Sequence, residues 1–146
     1  MNLIRFEEIS EDNISSVLAL EVKADQKDFL PDIQSSLDIA ERYESAEAVA
    51  ICTQSNAVIG FALYGIDEQT ENWKIFRMMI DQQYQRQGFG TLATRKLIEI
   101  LKEKPDSSKI LICYQKSNPV AQKLYQKLGF QEYRIEGTKV FAELSA

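Results

Sequence analysis

The sequence predicts an α+β fold with a central mixed, mostly antiparallel sheet of about seven strands, from three features of its order. Two β-rich runs, AVAICTQ and AVIGFALYGI, meet at Ser55-Asn56 as an antiparallel hairpin. The chain closes on a second hairpin, QEYRIE and KVFAEL, joined at Gly137-Thr138. Between them, residues 75 to 114 read strand, helix, strand, a unit that places a parallel pair inside an otherwise antiparallel meander.

In order, residues 2 to 9 form the first strand, and Ser10 is a suitable N-cap for a helix from Glu11 to about Val22. Ile14, Val17, Leu18 and Val22 give that helix a buried stripe. A second helix covers about Asp32 to Tyr43 behind Pro31, with Ile33, Leu37, Ala40 and Tyr43 inward. After the first hairpin, Trp73 stands at the entrance to the central strand, Ile75 to Ile80. Thr91 to Leu101 repeats apolar residues at 93, 97, 100 and 101 as one helical face. Pro105 and Asp106 end it, and KILICY is a nearly all-apolar strand, as expected of one buried on both faces. The last helix has Asn118 as N-cap, Pro119 in its first turn and Gly129 as its stop, with Ala121, Leu124, Tyr125 and Leu128 on one face.

A chain of 146 residues with 45% apolar side chains suits one domain with a core of its own. A formal charge of −5 argues against a nucleic-acid surface. Cys52 and Cys113 lie in apolar runs and match no metal-ligand spacing, so they are expected to be reduced core thiols of a cytoplasmic protein without a metal. No export signal and no membrane-spanning stretch is read. The chain has no histidine, so acid and base roles fall to a carboxylate, tyrosine, cysteine, lysine or water.

The informative break lies between the central strand and its helix, in DQQYQRQGFG. Gly88 and Gly90 remove side chains where the helix starts, so another molecule can approach N–H groups that have no intrahelical partner. Such a start favours an anion. GFGTLA matches a dinucleotide-binding glycine pattern, but seven residues separate Ile80 from Gly88, and that pattern needs its first glycine at the strand end. No GK[ST] follows, which excludes a P-loop.

Gln85-x-x-Gly88-x-Gly90 after a strand, with a second helix about 30 residues on that begins Asn-Pro-x-Ala and ends Tyr-x-x-x-Gly-Phe, resembles the GNAT superfamily of acetyl-CoA-dependent N-acetyltransferases. FLPDIQSSLDIA, IGFALYG and RMMIDQQYQRQGFG are most similar to bacterial diamine or spermine/spermidine acetyltransferases. The resemblance implies helices on both faces of the sheet, acetyl-CoA as cosubstrate and a primary amine as acceptor. It implies that Gln85, Arg86, Gln87, Gly88, Phe89, Gly90 and Thr91 hold the pyrophosphate, mainly through backbone N–H groups. Main-chain groups of Met78 and Ile80 would meet the thioester oxygen and the pantetheine arm, Asn118 would face the pantetheine end, and Tyr125 would protonate the departing thiolate. Without the family, Tyr125 is an aromatic on an apolar face and Asn118 a helix cap.

Direct attack needs a neutral amine, and an alkylammonium of pKa near 10.4 is only about 1 part in 2,500 neutral at pH 7, a cost of about 4.6 kcal/mol. Many family members place a glutamate on the central strand for this, but Lys74 to Ile80 contains no carboxylate. Glu71 and Asp67, at the mouth of the strand, are the expected bases through water. Asp28, Asp32 and Glu41 form either a solvated acidic face or a rim for the distal ammonium of a diamine. Acetylation of another amine (an amino acid, an antibiotic or a protein N-terminus) and a non-catalytic acetyl-CoA sensor are the alternatives. A homodimer is expected from the edge strands of the last hairpin.

Overall fold

A computed structural model describes residues 4–21, 33–42, 45–105 and 107–145. The strands are β1 (Ile4–Glu8), β2 (Glu47–Thr53), β3 (Val58–Ile66), β4 (Trp73–Ile80), β5 (Lys109–Gln115), β6 (Gln131–Glu136) and β7 (Lys139–Ser145). The helices are α1 (Ile14–Leu18), α2 (Ile33–Arg42), α3 (Phe89–Lys102) and α4 (Pro119–Lys127). One 7-stranded sheet runs β1-β2-β3-β4-β5-β7-β6. Only β4 and β5 pair in parallel; every other neighbouring pair is antiparallel. The fold is the expected one.

Alternation along the strands sends successive side chains to opposite faces, and two cores result. Ile51, Ile59, Ile75 and Ile110 pack with Ala93, Leu97 and Leu101 of α3 and Tyr125 of α4. On the other face Ala50, Cys52, Phe61 and Leu63 pack with Val17 of α1 and with Leu37 and Ala40 of α2. The sheet is thus covered on both sides, as the family resemblance implies.

Helix α1 departs from expectation. It begins at Ile14 rather than Glu11, because Ser10 and Asn13 tie the chain into a turn first. Asn13 Oδ1 accepts from Ser10 N at 2.8 Å, while its Nδ2 donates to Glu8 O at 2.8 Å. Leu18, expected inside, is 47% exposed, and Leu20 takes its place in the core. Helix α4 follows its signals: Asn118 Oδ1 accepts from Ala121 N at 3.2 Å, Pro119 opens the helix, and Gly129 follows it at φ 102. The outer strand β6 is exposed along its whole length, at the edge on which the dimer expectation rests. Val22, Asp25, Asp28, Pro31, Asp32, Tyr43 and Asp106, and the side chain of Ile33, lie outside the described residues.

Candidate active site

The site is built on the two ends of β4. At its start β4 pairs with β5 through Trp73↔Ile110, Lys74↔Leu111 and Ile75↔Ile112, and there the pairing stops. Beyond that point β4 stays with β3 as far as Ile80↔Gly60, and β5 stays with β7 as far as Gln115↔Lys139. A wedge therefore opens between the two strands from residues 76 and 113 onward. A β-bulge lies at the branch: Tyr64 pairs with Ile75 and Leu63 with Arg77, so Phe76 is the extra residue. Bulges increase local twist and bend the strand that carries them, which suits the parting of β4 from β5.

The wedge leads to the start of α3. Asp81 caps a single turn of 3-10 helix, Gln82–Tyr84, by accepting from Gln83 N at 3.1 Å, and its other carboxylate oxygen accepts from Glu21 N at 2.8 Å. Gln85 Nε2 donates to Ile80 O at 2.9 Å, tying the turn to the strand end. The chain then reverses through Arg86 at φ 64 and Gly88 at φ 85. A Cβ at Gly88 would have nothing within 4 Å, so this corner faces open space. No described side chain caps α3, its first turn has no acid, and the N–H groups of Gly88 to Thr91 have no described protein acceptor. Four unpaired donors at the positive end of a 14-residue helix form a cradle for a phosphate-bearing group. Helix α4 lies alongside, since a Cβ on Gly90 would be 4.0 Å from Leu124 Cδ2.

Of the residues expected around the cosubstrate, Arg86, Gln87, Gly88, Gly90 and Thr91 are gathered at this turn. Phe89 is there through its backbone alone, because its ring is buried and meets Tyr84 edge-on at 6.2 Å between centroids. Met78 and Ile80 lie on the unpaired half of β4. The Ile80 carbonyl already accepts from Gln85, so that side chain braces the turn and Ile80 has less to offer a ligand than expected. Asn118 opens α4 with its side-chain oxygen on Ala121 N.

Tyr125 is 7% exposed, stacked on Tyr114 at 5.8 Å and edge-on to Phe130 at 5.7 Å. Among the described residues its hydroxyl has no hydrogen-bond partner, in contrast to Tyr114, whose hydroxyl donates to Glu132 Oε1 at 2.6 Å. Burial pushes the Tyr125 phenol well above its ordinary value, so it stays protonated. Core packing and a retained proton coexist in this side chain.

The remaining expected residues lie elsewhere. Asp67 and Glu71 sit in the β3–β4 turn, where the sheet is closed by the β4–β5 pairs, and Arg77 is about 13 Å from Trp73 at roughly 3.3 Å per residue. Asp67 is also engaged in its own turn, accepting from Thr70 N at 3.2 Å and Thr70 Oγ1 at 2.8 Å. Neither lies at the corner where α3 begins. Glu41 is exposed on α2 and lines a groove of 630 Å³ with Glu8, Gln34 and Glu47, over β2 rather than β4. The expectations for Asp28 and Asp32 lie outside the described residues. Cys52 is fully buried, and desolvation pushes its thiol up to about 11, whereas Cys113 is only partly buried, at the first β5 position inside the wedge. Among the described residues no group of three or more Cys, Asp or Glu is placed to hold a metal ion, and no helix is long and apolar enough to cross a membrane.

Sequence reasoning missed Arg77. It sits on the unpaired half of β4 beside Leu63, so its side chain lies on the α1/α2 face. Its Nη1 donates to Phe76 O at 2.6 Å, its Nε is buried without a partner, and no described carboxylate pairs with it. The available signal was one arginine inside an otherwise apolar run, IFRMMI.

The Acetyltransferase (GNAT) family model matches residues 12–130. A spermine/spermidine N(1)-acetyltransferase of Bacillus subtilis is 28% identical over 149 residues, covering 96% of this chain and 97% of that protein. The [ribosomal protein bS18]-alanine N-acetyltransferase of Escherichia coli is 35% identical over 85 residues, 57% of this chain and 54% of that one. Among solved structures, spermidine N-acetyltransferase from Vibrio cholerae in complex with CoA and spermine superposes with a TM-score of 0.76 at 12% identity, over 97% of this chain and 95% of that chain, which shows a shared fold.

Proposed function

The chain belongs to the acetyltransferase (GNAT) family, and on that premise we propose that the amine it acetylates is a polyamine such as spermidine or spermine. Its activity is acetyl-CoA-dependent N-acetyl transfer. The observation that carries the reading is the parting of β4 from β5 next to the uncapped start of α3: one opening supplies both an anion cradle and a strand edge. The residues present fit the cosubstrate. The N–H groups of Gly88 to Thr91 would hold its pyrophosphate, and the main chain at Met78 would lie along its pantetheine arm. When bound, acetyl-CoA supplies an acetyl thioester. The chain's own part is to orient that group, admit the amine from the α1/α2 side and hold a proton on Tyr125 Oη for the thiolate, whose thiol-like pKa of about 8.5 makes donation from a positioned acid useful.

The polyamine reading is supported by the Bacillus subtilis relative, which matches along 96% of this chain. A protein N-terminus is the second reading, favoured by the higher identity, 35%, of the alanine acetyltransferase relative over a shorter span. A free-thiol assay with acetyl-CoA against spermidine, spermine, putrescine, lysine and a peptide beginning with alanine separates the two. Turnover confined to spermidine and spermine is the expected result; turnover of the peptide alone would replace the polyamine with a protein substrate.

A further inference from the structure

The central strand lacks a carboxylate where an amine must lose a proton, yet it carries there a cation that no described acid compensates. We propose that Arg77 offsets the missing base electrostatically, its guanidinium lowering the proton affinity of the amine bound beside it in the wedge, so that the ammonium gives its proton to water before the neutral amine attacks. This rests on amine acetylation in the wedge and not on which amine is used.

Three observations on geometry support it. Arg77 follows the bulge and immediately precedes Met78, so it borders the strand segment expected to carry the thioester, on the face toward α1 and α2. Its charge is unspent: Nη1 goes to a main-chain oxygen, Nε has no partner, and no described acid neutralises it. Its surroundings are poor in solvent, and burial lowers its pKa from the ordinary value, the signature of a cation held at some cost. Like charges within about 6 Å disfavour the protonated form of a neighbour, and a guanidinium does not give up its own charge in compensation.

The groups facing Arg77 leave that field largely intact. Leu63 of β3 stands opposite it, and on the same sheet face Val17 of α1 and Leu37 and Ala40 of α2 are apolar. From β5 comes the Cys113 thiol, whose ionisation would favour the cation. On the same sheet face lie Lys74, whose Nζ sits over the Phe76 and Phe141 rings, Arg134 over Phe141, and Tyr133, which feels Arg134, Glu143, Asp67 and Cys113. Glu143 is held by Lys109 at 2.9 Å, and Asp67 by Thr70. For a polyamine the same field gives an orientation: the far ammonium groups are driven outward, and the reacting nitrogen is the one that loses its proton most readily.

The test is kcat against pH at saturating acetyl-CoA and saturating amine, because kcat reports groups in the bound complex. The amine is whichever one the wild type acetylates, so failure with spermidine would count against the polyamine reading alone. In Arg77→Gln the bound amine should hold its proton more tightly, moving the acid limb up by about one pH unit and lowering kcat near pH 7 about tenfold, with convergence on wild type at high pH. Arg77→Lys should restore the wild-type limb. An unmoved limb, or an equal loss in both variants at every pH, overturns the proposal in favour of a structural role. A rise in KM only for amines bearing a carboxylate, with the limb in place, overturns it in favour of an anion anchor. Wild-type enzyme gives a second measurement that needs no variant. In the wild type the acid limb of kcat should itself lie about one pH unit below the pKa of the free amine, at about 9.4 for an amine of pKa about 10.4; a limb at or above the free value overturns the proposal.

Discussion

The two ends of β4 differ more from each other than either differs from its neighbours in sequence. At the Trp73 end both edges of the strand are paired and the side chains are tied down. Tyr64 Oη donates to Glu47 Oε2 at 2.6 Å, Trp73 Nε1 donates to Pro105 O at 3.4 Å, and Lys104 Nζ lies 5.3 Å from the Trp73 ring centroid. At the Ile80 end, among the described residues, one edge has no strand partner, the next helix has no side-chain cap, and Arg77 has no counter-ion. Unsatisfied polar groups near a core are costly: Arg77 Nε is one, at the open half, and Ser107 Oγ, before β5 at the closed end, is another. The closed half provides stability, and the open half is left with bonds for a ligand to complete.

Substitutions can break that contrast at either end. The largest effect is expected at the closed end, where Ile75→Ala should cost about 2–5 kcal/mol in denaturant unfolding while the KM values of the folded fraction stay put. At the open end Tyr125→Phe should lower kcat about 100-fold and leave the unfolding midpoint nearly unchanged, because the hydroxyl has no described partner to lose. A fall in stability with kcat intact would return Tyr125 to the core. Gly88→Val asks a β-branched residue to adopt φ 85 and fills the open corner, so KM for acetyl-CoA should rise about tenfold. Gln85→Leu removes the brace on Ile80, with an expected loss of about 1 kcal/mol in stability and a severalfold rise in the same KM. Smallest of all, Glu71→Gln and Asp67→Asn should leave kcat within about twofold across the pH range, since both belong to the closed end; a displaced acid limb in either would restore it as the base.

Much of this was legible beforehand. Asn118, Pro119 and Gly129 delimit α4 by rules that act within one turn of chain, and the Gly88-x-Gly90 spacing marks the ligand corner for the same reason. The distribution of the acids was not legible. Asp67 and Glu71 are near the central strand in sequence, but strand pairing decides which end of it is open, and that depends on where β5, some 30 residues later, stops following β4. Arg77 escaped notice because its meaning depends on what fails to surround it. Ser10 misled for a local reason: Asn13, three residues on, competes for the same backbone groups and delays the helix.

The extra residue at Phe76 has a consequence for how acceptor choice could change in this scaffold. Deleting that position would straighten the pairing without turning any later side chain over, because Tyr64 and Leu63 already oppose Ile75 and Arg77, so the bulge sets the twist of the strand and not its facing. A one-residue gap at 76 between related chains therefore aligns side chains that look the same way, and what such a gap alters is how sharply β4 swings from β5, and with it the width of the opening offered to an acceptor.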